Sequence, residues 1–113
     1  MSELELSKES LKRVDIIRAN GRIDSSSAPE FDDELKAALD DGRHNLVLNL
    51  SGVSYMSSAG LRALISALRE CKKHHGNVAL AAPSNRVKEV LELAGLSSIF
   101  DIYDDETTAV GSF

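Results

Sequence analysis

Two adjacent serines, Ser57 and Ser58, are side chains that could do chemistry, because the small residues Ala59 and Gly60 follow them directly. This combination predicts a small, exposed surface on which a partner's backbone or a phosphoryl group could lie close. Ser57 also has a simpler interpretation, in which its hydroxyl only caps the free amide groups of a following helix. A phosphate on Ser58 would add about −1.5 to −2 charges and three acceptor oxygens, which a helix amino end accommodates. Such a phosphate would change the charge of this surface and leave the domain folded.

A strand and a helix must position these serines. The nearly unbroken apolar run Leu46–Leu50 has the length of a strand, and the lack of alternation is typical of a strand covered on both faces. Beyond the serines, apolar residues recur at helical spacing and form one stripe: Leu61, Leu64, Ile65, Leu68 and Cys71. We therefore expect the stretch after Leu50 to connect strand to helix. Its hydroxyls would lie at the carboxyl end of the strand, where open α/β sheets place their sites.

The remaining patterns give the order strand, helix, strand, helix, strand, helix. Val14–Ala19 predicts a strand that stops at a tight turn, Asn20-Gly21, with a short edge strand before it at residues 4–6. The loop Asp24–Glu30 leads into a helix with a serine cap and a proline in its first turn. Further helices are predicted over residues 31–39, 87–94 and 104–110, and further strands over residues 78–82 and 102–103. This order predicts an α/β fold in which helices pack on a mixed sheet.

The composition fits one domain over residues 1–113, with 42% hydrophobic residues and a net charge of −5. No Lys/Arg cluster is longer than the pair Lys72-Lys73, which argues against binding to nucleic acid or to an anionic membrane. The single Cys71 excludes an intramolecular disulfide and a Cys-rich zinc site. The chain has neither a basic, apolar leader nor an apolar run of about 20 residues, so we expect a cytoplasmic location.

Catalysis is not expected from these residues. The α/β-hydrolase elbow needs Gly-x-Ser-x-Gly, but Met56 stands two residues before Ser58. The pair His74-His75 lies at a predicted helix end, where cations favour the dipole, and His44 precedes a strand in an order that matches no triad. The acidic run Asp104–Glu106 is more typical of a helix start than of a cation site. We predict no catalytic residue, no metal site and no cofactor.

Three segments together resemble a known family: Gly21–Asp24, Leu46–Val53 and Tyr55–Arg62. They are similar to the bacterial anti-sigma-factor antagonists, the single-domain members of the STAS superfamily, and the resemblance spans nearly the whole chain. In that family, a partner that is both anti-sigma factor and kinase phosphorylates the serine two places before the loop glycine. The matching residue here is Ser58. Many members have Asp where this chain has Ser57 and Asn49, and Ser57 is a competing acceptor.

The resemblance implies a STAS-like mixed sheet and a function by partner switching. The unphosphorylated chain would bind an anti-sigma factor/serine kinase and free its sigma factor, phosphorylation at Ser58 would end binding, and a PP2C-type serine phosphatase would reset the switch. ATP would belong to the partner. The implied partner-binding residues are Asp24, Ser25, Ser57, Ser58, Ala59, Gly60, Leu61 and Arg62. The alternative is a STAS accessory subunit of a transporter or signalling assembly, which binds its neighbour without a phosphorylation switch.

Overall fold

The computed structural model describes residues 4–113, which form a five-stranded sheet and four helices. The strands are β1 (Leu4–Ser10), β2 (Asp15–Ile23), β3 (Asn45–Met56), β4 (Asn77–Ala81) and β5 (Asp101–Tyr103). The helices are α1 (Ala28–Asp40), α2 (Ser58–Lys73), α3 (Asn85–Leu93) and α4 (Glu106–Gly111). The strand order is β1-β2-β3-β4-β5, with β1 antiparallel to β2 and all other neighbours parallel. The predicted mixed α/β sheet is confirmed.

The two faces of the sheet bury cores of different size. The larger core lies under α1, α2 and α3 and includes Phe31, Leu64 and Leu91, each fully buried. The smaller one lies under α4 and joins Ile16, Val47, Ala79 and Ala109, among others. In β3, Leu46, Leu48 and Leu50 face the larger core and Val47 the smaller. The apolar run of β3 therefore does mark a strand covered on both faces.

The predicted tight turn at Asn20-Gly21 is wrong. β2 continues through both residues to Ile23, and its pairing with β3 shifts register twice there, between Arg18 and Asn20 and between Gly21 and Arg22. Gly21 has a φ of 115°, a conformation that side chains rarely allow, so the glycine serves an irregularity within a strand. A chain reversal does lie before β2, at Leu11–Val14, where the Leu11 backbone amide donates to the Val14 carbonyl at 2.8 Å.

The predicted connection after Leu50 is also wrong, because β3 extends to Met56. Its last residues pair with the extended end of β2, with Val53 beside Gly21 and Met56 beside Ile23. Val53 and Met56 are buried in the larger core. Only Ser57 separates β3 from α2, so the serine pair stands at a direct junction of strand and helix.

No helix within residues 4–113 is long and apolar enough to cross a membrane.

Candidate partner-binding site

Ser57 and Ser58 have different structural roles. Ser57 is the N-cap of α2, and its hydroxyl accepts a hydrogen bond from the Gly60 amide at 3.3 Å. Its own amide donates to the Ile23 carbonyl at 2.7 Å, which fixes the junction against the end of β2. Ser58 is the first residue of α2, is exposed, and has no hydrogen-bond partner for its hydroxyl among residues 4–113. The Ser58 hydroxyl is therefore available to another molecule.

Asp24 organises the loop between β2 and α1. Its Oδ1 accepts hydrogen bonds from the amides of Ser26 and Ser27, at 3.0 and 3.1 Å, and from the hydroxyl of Ser26 at 2.7 Å. The Ser26 hydroxyl and the Ser27 amide lower the pKa of Asp24, so this carboxyl stays ionised. Its other oxygen lies 3.8 Å from Arg22 Nε. Asp24 therefore holds one carboxylate oxygen in its own loop.

Ser27 occupies the predicted cap position of α1, but the cap is wrong in detail. Its side chain makes no cap hydrogen bond to the helix. The hydroxyl instead donates to the Arg22 carbonyl at 2.7 Å and accepts from the Asp24 amide at 3.0 Å. The buried Ser27 thus closes the loop onto the end of β2 and leaves the first turn of α1 to Pro29 and the acidic Glu30.

The loop after β2 and the start of α2, both predicted to bind the partner, line one groove between α1 and α2. Its volume is about 400 Å³, and Ser25 lines it from the Asp24 loop while Ala59 and Arg62 line it from the start of α2. The hydrogen bond from the Ser57 backbone amide to the Ile23 carbonyl also brings the serine junction beside the start of that loop. The sequence segments that resemble the family site are therefore neighbours in the folded chain.

Two of the predicted binding residues lie beneath this surface. Gly60 is buried, and a Cβ added there would lie 2.7 Å from Ile23 Cγ2 and 3.0 Å from Met56 Cγ. Leu61 is half-buried and packs against the larger core. These two residues pack the first turn of α2 closely against the strand ends. This packing fixes the positions of Ser58 and Arg62 on the surface.

Arg22 and Tyr55 belong to the same end of the sheet and were not found from the sequence. They are paired across β2 and β3, and the Arg22 guanidinium lies 4.7 Å from the centroid of the Tyr55 ring. This cation–π contact, together with Asp24, gives the site a rigid aromatic and charged flank. Arg and Tyr are the side chains most enriched among residues that dominate interface energies.

The residues weighed for catalysis or metal binding lie elsewhere. His44 precedes β3 and His74-His75 follow α2, so all three histidines are at the opposite end of β3 from Ser57. Asp105 caps α4 by accepting from the Thr108 amide at 2.7 Å. Within residues 4–113, no group of three His, Cys, Asp or Glu side chains could hold a metal ion.

Asn49, a departure from the pattern of the family that the sequence resembles, takes part in a polar network on the α4 face. Its amide donates to Glu106 Oε1 at 3.1 Å, while Arg18 makes two bonds to the same carboxylate at 2.8 and 2.9 Å. An aspartate at position 49 would place a second negative charge against Glu106. The departure at this position is therefore matched by its neighbours and lies apart from Ser58.

Known proteins resemble this chain in sequence and in fold over almost its whole length. BtrV of Bordetella bronchiseptica, provisionally described as an anti-sigma factor antagonist, is 29% identical over 110 residues, which is 97% of this chain and 95% of BtrV. The crystal structure of an anti-sigma factor antagonist from Mycobacterium paratuberculosis superposes with a TM-score of 0.88 at 25% identity, covering 96% of this chain and 92% of that one.

The fold also matches Bacillus SpoIIAA in its phosphorylated form, with a TM-score of 0.76 at 22% identity over 96% of this chain and 98% of that chain. The family model for the STAS domain matches residues 5–109. Because that match takes in almost every residue described above, including the serine junction and the Asp24 loop, the chain belongs to the STAS domain family.

Proposed function

We propose that this chain is an anti-sigma factor antagonist that acts by partner switching, with Ser58 as the phospho-acceptor. The observation that carries the proposal is the exposed hydroxyl of Ser58 on the first turn of α2, which has no hydrogen-bond partner among residues 4–113. Ser57 is the weaker acceptor candidate because its hydroxyl already caps the helix. The similarity to BtrV and to the mycobacterial antagonist supports a role as an antagonist of an anti-sigma factor.

The switch follows from the charge that phosphate adds. The amino end of α2 tolerates the group, since its free amides and dipole favour an anion, so the fold persists. A partner surface fitted to a neutral hydroxyl would instead face a desolvated dianion. Leaving such a charge unpaired costs about 2–5 kcal/mol, which weakens binding by about 30-fold or more.

Two neighbours modulate that cost in opposite directions. Arg62 is exposed one helical turn after Ser58, at i+4, where it can partly neutralise the added charge. Asp24 stays ionised on the adjacent loop and adds like-charge repulsion. The flank of Arg22 over Tyr55 stays unchanged by phosphorylation and provides contact area in both states.

The partners in this proposal are an anti-sigma factor that is also a serine kinase and a PP2C-type phosphatase that resets Ser58, all in the cytoplasm. The chain itself supplies no catalytic group, and residues 1–113 act as one domain. The second candidate is a STAS accessory subunit of a transporter or signalling assembly. Such a subunit would bind its neighbour through the groove between α1 and α2, without phosphorylation.

Incubation of the chain with its cognate kinase and ATP tests the modification. We expect one added phosphate of about 80 Da on Ser58, read by peptide mass spectrometry. Ser58→Ala should abolish incorporation, whereas Ser57→Ala, the matched control, should retain it. A phosphate on Ser57, or undiminished labelling of Ser58→Ala, would overturn the assignment of the acceptor.

A further inference from the structure

A second cavity lies at the end of the sheet opposite Ser58. Its volume is about 240 Å³, and three connections line it: the β1–β2 turn, the loop from α1 to β3 and the turn from α2 to β4. Its lining side chains are Arg13, Arg43, His44, Asn45, His74 and His75, with Gly42 and Gly76 contributing backbone. None of them is acidic. We call this cavity the basic pocket.

The walls of the basic pocket are fixed by contacts among the three connections. The rings of His44 and His74 stack with centroids 4.0 Å apart and an angle of 13° between their planes. The backbone amide of Asn77 donates to the His44 carbonyl at 3.0 Å, and a Cβ at Gly76 would lie 1.8 Å from that carbonyl oxygen. The turn from α2 to β4 therefore lies directly against the backbone of His44.

The other walls are held in the same way. Arg43 Nε donates to the buried Asp15 at 2.8 Å, and its Nη2 donates to the Leu11 carbonyl at 2.5 Å. The Asn45 side chain donates to the Arg13 carbonyl at 3.2 Å, which ties the β1–β2 turn to the start of β3. These bonds fix the wall before a ligand binds, but they use Arg43 Nε and Nη2 and the Asn45 side-chain amide, so a ligand would meet chiefly Arg13 and His75 on a preformed wall.

The charged side chains that line the basic pocket, Arg13 and Arg43, are both cationic although the whole chain carries −5. Asp15 Oδ1 is engaged by Arg43 and Glu70 by His74 Nε2 at 3.2 Å, whereas Asp15 Oδ2 is buried without a hydrogen-bond partner within residues 4–113 and Asp41 adjoins the lining residue Gly42. Arg13 and His75 make no side-chain hydrogen bond or ion pair within residues 4–113. The carboxyl ends of α1 and α2 point toward this side and offset part of the positive charge, but Lys72 and Lys73 in the last turn of α2 compensate that dipole.

The type of donor selects the ligand. Guanidinium and imidazole N–H groups bind oxyanions, and the planar guanidinium pairs two of its N–H groups with two oxygens of a phosphate. Stacked, nearly parallel imidazoles flanked by arginines do not converge on a metal ion. We propose that the basic pocket binds a phosphate-type oxyanion, either inorganic phosphate or the phosphoryl group of a small phosphomonoester.

Titration of the full chain at pH 6.0 and constant ionic strength tests this site, with inorganic phosphate in one arm and phosphoserine in the other. The readout is the ring carbon–proton NMR signals of His44, His74 and His75. We expect saturable shifts, and Arg13→Gln should weaken binding at least about fivefold while Lys8→Gln, the matched control on the exposed end of β1, leaves it within twofold. The probe that binds more tightly shows whether the site prefers inorganic phosphate or a phosphomonoester.

Shifts that rise linearly without saturation in both arms would overturn the proposal, as would equal binding by Arg13→Gln and the unmodified chain. The backbone amide spectrum of each variant verifies that it is folded. The titration uses no kinase or anti-sigma factor, so its failure is separate from any failure of the partner switch.

Discussion

At the scale of single residues, two neighbouring serines divide capping and exposure between them. The Ser57 hydroxyl is used inside the molecule, at 3.3 Å from the Gly60 amide, whereas the Ser58 hydroxyl faces outward. The sequence alone predicts both roles, because Ser57 has the residue type and position of a helix N-cap and Ser58 belongs to the small, exposed surface that follows it. It does not predict the Arg22–Tyr55 contact, since those residues are 33 positions apart and meet only through an irregular strand register.

Substitution of each serine by alanine separates the two roles. We expect Ser57→Ala to lower the free energy of unfolding by about 0.5–2 kcal/mol, because the Gly60 amide loses its acceptor. Ser58→Ala should change the free energy by less than about 0.5 kcal/mol, since that hydroxyl has no partner within residues 4–113. Urea denaturation measures both. A larger loss in Ser58→Ala than in Ser57→Ala would contradict the assigned roles.

At the scale of elements, the closest approach in the site is between α2 and the end of β2. The space there admits no side chain at Gly60, where an added Cβ meets the buried Ile23 at 2.7 Å. Local patterns also miss the length of β3: Ser51, Gly52 and Ser54 are typical of a connection, yet β3 continues through them, with Gly52 paired to Asn20 of β2. Such pairing depends on a neighbour distant in sequence, which local patterns do not report.

Gly60→Ala tests this contact. Alanine favours a helix interior by about 1 kcal/mol over glycine, but overpacking against Ile23 costs about 1–3 kcal/mol. We expect a net loss of stability in thermal or urea unfolding. Gly111→Ala is the matched control in α4, because an added Cβ there meets nothing within 4 Å, and it should be neutral or stabilising. Equal stability of the two variants would show that α2 does not approach β2 so closely.

The Arg18–Glu106 pair anchors α4 to the second face of the sheet. The hydrogen bond from Arg18 lowers the pKa of Glu106, partial burial opposes the shift, and the Asn49 amide adds to it. A carboxyl whose pKa is lowered on folding stabilises the fold above its ordinary pKa of about 4.3, and this contribution disappears as pH falls through the folded value. Stability from this pair is therefore present at pH 7 and lost in acid.

We expect Glu106→Gln to lower the free energy of unfolding by about 1 kcal/mol at pH 7, since the carboxylate is partly exposed and the pairing partly screened. Below the ordinary pKa of about 4.3 the difference from the unmodified chain should shrink as pH falls, because the unfolded chain then binds a proton that the folded carboxylate resists. Urea unfolding at pH 7 and at a series of lower pH values measures this, with the exposed Glu92→Gln as control. A difference that stays constant with pH would exclude the ion pair as its cause.

At the scale of the whole molecule, the compact chain has a radius of gyration of 12.5 Å and presents two surfaces at opposite ends of β3. The carboxyl end carries the serine junction and the Asp24 loop, and the amino end carries the basic pocket. Sequence patterns predict the mixed sheet and the helix order, because each apolar stripe is local. They do not predict the basic pocket, whose side chains come from three separate connections.

The most direct test of the partner switch is calorimetric titration of the anti-sigma kinase, in ADP so that no phosphate transfers, with three forms of the chain. We expect the unmodified chain and Ser58→Ala to bind with similar affinity, and the chain phosphorylated on Ser58 to bind at least about 30-fold more weakly. Equal affinities for all three forms would contradict the switch and favour the accessory-subunit alternative.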